Sequence, residues 1–225
     1  MPLFRASGKL VYFAHVPKCG GTSVEHYLFA RFGPLGLWDP FFALRSPTAA
    51  WSRSPPQHMP EAVRRDLIPD GLLDASFALV RHPVARLYSV FLFQSEIEKA
   101  VPRPVTFSRW LDLVERELQT NPYQLHGHLQ PMGHFVPEAA TVFRLEDGID
   151  RIIPWLDALT KLDVGPRSVP RSNVLIDRLK HEGAELPQRA GPSAADIERI
   201  GWLYADDFAR FGYGPDTDTD TDTAD

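Results

Sequence analysis

Three short apolar runs punctuate the chain: Leu10–His15 (LVYFAH), Ser76–Arg81 (SFALVR) and Thr141–Glu146 (TVFRLE). Rich in β-branched and aromatic residues, they read as strands, the first two as buried strands of a parallel sheet. Between them the apolar positions switch to helical spacing. Val24, Leu28 and Phe32 recur at i, i+4 and i+8 along TSVEHYLFARF, which predicts a helix with one buried face. Pro83 opens a second helix through Glu98, and a Thr-Phe-Ser start offers N-caps to a third over roughly Phe107–Leu118. A shorter helix is expected at EAVRRDLI behind Pro60, and another at IDRIIPWLDAL, begun or bent near Pro154. Ser193 with Asp196 three residues on resembles a capping box for the last helix. Its stripe of Ile197, Ile200, Leu203, Tyr204, Phe208 and Phe211 reads as core. Strands and helices in alternation predict an α/β fold with a mainly parallel central sheet flanked by helices.

One stretch resists this pattern. Gly33–Asp74 is rich in Pro and aromatic residues. So long an irregular excursion in a compact domain is a functional loop or a disordered one, and its tryptophans and phenylalanines favour a segment that covers substrate.

Composition narrows the picture. With 225 residues, 44% of them hydrophobic, the chain can bury one core, so residues 1–214 are expected to form a single domain. The formal charge of -5 is carried by the five aspartates of the terminal DTDTDTDTAD, leaving the body neutral. That tail, residues 215–225, lacks the apolar surface to offset its ordering entropy and is expected to be disordered. A neutral body argues against general nucleic-acid binding. The single cysteine, Cys19, excludes an intramolecular disulfide framework and fits a reducing compartment. With no signal peptide and no run of about 20 apolar residues, the expectation is a cytoplasmic protein without a membrane span.

The candidate chemistry sits in HVPKCGGTS, His15 to Ser23. A strand, a glycine loop and a helix together present backbone N–H groups to an anion. Gly20 and Gly21 permit close approach, Thr22 and Ser23 add hydroxyls, and Lys18 adds a mobile positive charge. The lysine precedes the glycines, whereas the ordinary ATPase loop places it after them, and no Walker B aspartate is apparent. A second site follows the second strand. RHPVARLYS sets Arg81 at a strand end and Ser89 in the next helix, on the carboxyl side of the same sheet. Two anion sites suit a nucleotide phosphorylated at both its 5′ and 3′ positions.

PKCGGTS resembles the 5′-phosphosulfate loop of the sulfotransferases that use 3′-phosphoadenosine-5′-phosphosulfate (PAPS), and RHPVARLYS is similar to their 3′-phosphate motif. The likeness is to the carbohydrate branch, heparan- and HNK-1-like, termed sulfotransferase family 2. The ending IGWLYADDFARFGY resembles that branch's closing helix. The resemblance implies a P-loop-like, three-layer fold. It also implies PAPS as cosubstrate, bound by Lys18, Cys19, Gly20, Gly21, Thr22, Ser23, Arg81 and Ser89, with the desulfated nucleotide PAP as product and no metal. The acceptor implied is a hydroxyl on a glycan, a glycolipid or a small molecule. A P-loop kinase or nucleotide hydrolase, or a non-catalytic PAP-binding protein, are the alternatives.

Lys18 is expected to neutralise charge on the bridging oxygen as its bond to sulfur breaks. A hydroxyl acceptor also calls for a general base. His58, ahead of the second motif, occupies a place similar to the catalytic histidine of heparan 2-O-type members. His128 resembles a His-x-x-Pro-Gln segment, with Met132 in place of Gln. Glu25 and His126 remain open. The spacing of His126, His128 and His134 fits no strong metal pattern. Cys19 is either a small residue that the loop tolerates or a reactive thiol. Arg86 reaches either the 3′-phosphate or a structural ion pair.

Overall fold

The computed structural model describes residues 2–44, 52, 54–121, 124–172 and 189–214. The Asp/Thr tail, and residues 45–51 of the irregular excursion, lie outside the described residues. The described part is built on an open four-stranded sheet ordered β1-β2-β3-β4. These strands are β1 (Leu3–Ala6), β2 (Lys9–Ala14), β3 (Ala75–Val80) and β4 (Thr141–Arg144). β2, β3 and β4 run parallel, with Phe13 opposite Phe77 and Leu79 opposite Phe143. β1 returns antiparallel along the outer edge of β2. The apolar run of β2 and β3 is buried at its carboxyl half, while β4, at the other edge, is half exposed.

Seven α-helices flank the sheet among the described residues: α1 (Gly21–Phe32), α2 (Glu61–Leu67), α3 (Pro83–Leu92), α4 (Phe107–Thr120), α5 (Ile152–Thr160), α6 (Ala194–Leu203) and α7 (Ala205–Phe211). None is long and apolar enough to cross a membrane. One core joins the strands to residues of α1, α5 and α7, with Phe13 stacked on Phe77 at its centre and the half-buried Trp155 packed on Phe77. A second core joins α3, α4 and α6 around Phe91, Phe107 and Trp110.

Three features depart from the periodic reading. β1 was not expected; its short alternation buries Phe4 and Ala6, and Ser7 and Gly8 turn the hairpin at φ 50° and 80°. The helix from Pro83 changes to a π turn over Phe93–Ile97. The last helix is broken at Tyr204 (φ −122°), whose hydroxyl donates to the Leu129 carbonyl at 2.6 Å. The expected caps form: Thr106 accepts from the Arg109 amide, and Ser193 with Asp196 makes both arms of a capping box.

Candidate functional site: a cavity at the strand ends

The loop between β2 and α1 is built around its glycines. Gly20 caps α1 in the left-handed region (φ 77°), where a side chain would press on Leu145 and Ile149. At Gly21 a Cβ would fall 2.2 Å from the His15 ring. The imidazole therefore lies directly over the first residue of α1, and only glycine leaves it room. Lys18 also takes a left-handed conformation (φ 65°), and its Nζ rests 4.2 Å from the centre of the Phe93 ring. The π turn thus begins with the residue that carries this lysine.

These groups face a cavity of about 440 Å³, within the range of small-molecule sites. Lys18, Gly20, Gly21, Thr22 and Ser23 line it from the loop and the first turn of α1. Arg81, just past β3, and Ser89 on α3 line it from the second strand–helix unit. The structure therefore brings together residues that lie far apart in sequence. A third wall, which no sequence motif marks, comes from Gly148–Asp150 and Val169–Ser172. Asp150 accepts from the Val169 amide at 2.7 Å. Ser23 Oγ donates to the Ser172 carbonyl and accepts from its amide. The Ser23 hydroxyl is thus engaged with the wall, while Arg171 adds a third cationic side chain to the lining.

Cys19 is fully buried against the Pro17 carbonyl and the Met132 sulfur. Burial pushes its thiol up to about 12, against the opposing pull of Arg86 and Arg81. Its side chain faces the core and not the cavity, so a ligand can reach only its backbone. The reactive-thiol reading is corrected on that ground. Arg86 is fully buried too; among the described residues it forms no ion pair, and it does not line the cavity. It donates to the His128 and Gln130 carbonyls at 3.1 and 2.8 Å and so pins the segment that carries His128.

The histidines divide. His15, His58 and His128 stand in a row, with ring centres 4.7 Å apart in the first pair and 5.2 Å in the second, and all three line the cavity. Burial holds His58 and His128 well below the ordinary histidine range; the neighbouring bases His15 (for His58) and Lys18 (for His128) act in the same direction. Both are thus neutral imidazoles near pH 7. His126 packs edge-on against Phe42 without lining the cavity, and His134 bonds Gln130. Among the described residues no group of three His, Cys, Asp or Glu side chains is placed to hold a metal ion.

A lone strand-end histidine such as His15 announces no partner in the sequence, yet the fold gives it one. That partner is Glu25 on α1, buried at 3% exposure, whose Oε1 lies 2.5 Å from His15 Nδ1. Trp38 Nε1 donates to the other carboxylate oxygen at 3.0 Å. Burial alone would raise the Glu25 carboxyl, but the His15 and Trp38 contacts outweigh it and hold it below the ordinary carboxylate range. Glu25 is therefore an anion committed to two donors.

The sequence model of the sulfotransferase family matches residues 2–214. The chain belongs to the sulfotransferase family. No curated protein and no solved structure matches it. In this sulfotransferase the glycine loop and the N-terminus of α1 lie at the carboxyl end of a mostly parallel sheet, beside the cavity.

Proposed function

We propose that this sulfotransferase takes PAPS as its donor, transfers the sulfuryl group to an acceptor hydroxyl, and releases PAP. The observation that carries the reading is the convergence of Lys18, Arg81 and Ser89 on one cavity at the N-terminus of α1. The α1 N-terminus and Lys18 suit the 5′-phosphosulfate, and Arg81 with Ser89 suits the 3′-phosphate. Cavity size and cationic lining both fit such a nucleotide.

In-line transfer demands positioning and charge stabilisation more than covalent chemistry from the protein. The acceptor oxygen bonds to sulfur as the sulfur–oxygen bond to the 5′-phosphate breaks, and the electron pair leaves on the phosphate. Lys18 neutralises that developing charge. His58, neutral and facing the cavity, takes the acceptor's proton. His128 packs against His58 and Phe93 and flanks the same point. The acceptor class is a carbohydrate or glycolipid hydroxyl, by likeness to the carbohydrate branch.

The test is transfer of labelled sulfate from PAPS into a panel of polysaccharides, glycolipids and small alcohols, with wild type beside His58→Ala. Label in one acceptor class with wild type, and turnover lower by about 10²–10⁴ in the variant at near-equal PAP affinity, is the expected result. Full activity in His58→Ala would move the base role elsewhere.

A further inference from the structure

His58 takes up a proton during the proposed reaction, in surroundings that disfavour a cation. Beside burial, the groups that disfavour its cation include His15 at the end of β2 and, from the segment after α4, His128 and His126. All are bases. Its Nδ1 is buried and makes no hydrogen bond among the described residues. His15 is the nearer of the two rings in contact with it, and His15 is bonded to a buried carboxylate.

A buried anion is costly unless it is paired, and here the pairing runs toward the site. Glu25 fixes His15 as an Nδ1–H donor, because an ionised carboxylate can only accept. This locks the ring over Gly21, edge-on to His58. The other carboxylate oxygen is held by Trp38. The next residue, Asp39, exchanges two hydrogen bonds with Gln57, the residue before His58: its amide donates to Gln57 Oε1, and Gln57 Nε2 donates to its carbonyl, both at 3.3 Å. The contacts form a closed circuit from His15 through Glu25, Trp38, Asp39 and Gln57 to His58.

We propose that Glu25 is a positioning residue of sulfuryl transfer: by clamping His15 and Trp38 it sets the His58 ring and supplies the buried negative charge that balances the proton His58 takes from the acceptor. The proton passes from the acceptor hydroxyl to His58 as the new oxygen–sulfur bond forms, and leaves to solvent after PAP departs. This inference rests on the PAPS reading of the cavity.

Glu25→Gln keeps the side chain's size and removes its charge. Its kcat should fall by about 10- to 100-fold while PAP affinity stays within about 3-fold of wild type. The pH profile adds a reading that a structural role would not move. His58 must be neutral to accept a proton, so activity is lost on acidification. Without the nearby anion the His58 cation is still less favourable, so the acid limb should move to lower pH as the plateau drops. Trp38→Phe, which keeps the ring and removes the N–H, should lower kcat in the same direction by about 2- to 5-fold. It decides the matter if Glu25→Gln folds poorly. An unchanged kcat and acid limb in both variants, or a fall in PAP affinity that matches the fall in kcat, would overturn the role of Glu25 alone. Failure of wild type to bind PAP would instead overturn the nucleotide reading, and this inference with it.

Discussion

Lys18 holds a left-handed backbone in a loop where Gly20 does the same. Alanine has the same steric cost there, so Lys18→Ala should leave the thermal midpoint close to wild type while kcat falls by about 10²–10³, as for loss of a charge-stabilising donor. Matched losses of kcat and stability would show a structural lysine. Gly21→Ala acts oppositely. Its methyl group would collide with the His15 ring, costing about 1–3 kcal/mol of stability and displacing the imidazole from Glu25. A urea melt reads the first effect and turnover the second; a wild-type melt would contradict the packing described. Gly20, Gly21 and Lys18 were legible because residue type alone reports their chemistry. His15, Glu25 and Trp38 were not, because their bonds depend on how α1 and the irregular segment pack on the end of β2.

At the scale of elements, the three parallel strands and the main helices were legible from apolar runs and helical spacing. The edge strand β1 was not, although Ser7-Gly8 marks a turn and Phe4 with Ala6 alternates inward. Four residues give a period-2 pattern too little length to stand out. The π turn at Phe93–Ile97 was hidden too, since it continues a helical pattern and differs only in its hydrogen bonds. The break at Tyr204 follows from a tertiary bond to Leu129, which the stripe of apolar residues conceals. Tyr204→Phe removes that bond alone and should cost about 1 kcal/mol, read from the urea midpoint. No loss would mean that the kink is set by packing instead.

For the whole molecule, the neutral histidines make a prediction about stability and pH. His58 and His128 sit well below the ordinary histidine range in the folded protein and regain about 6.5 when unfolded. Below that value the unfolded chain binds protons that the folded protein excludes, so their contribution is full above about pH 6.5 and lost as pH falls. Unfolding midpoints in urea should therefore drop from about pH 7.5 to 5, and a His58→Gln, His128→Gln double variant should show a shallower slope. An equal slope would contradict the burial of these rings.

The proposed function requires one cavity to read a nucleotide at both its 5′ and 3′ positions. The decisive measurement is metal-free calorimetric titration of wild type and Arg81→Ala with PAP and with adenosine 5′-monophosphate. Wild type should bind PAP about 10- to 100-fold tighter than the monophosphate, and Arg81→Ala should erase most of that difference, as expected for a charge-assisted contact to the 3′-phosphate. Equal affinities in wild type, or a preference for ATP that requires magnesium, would contradict it.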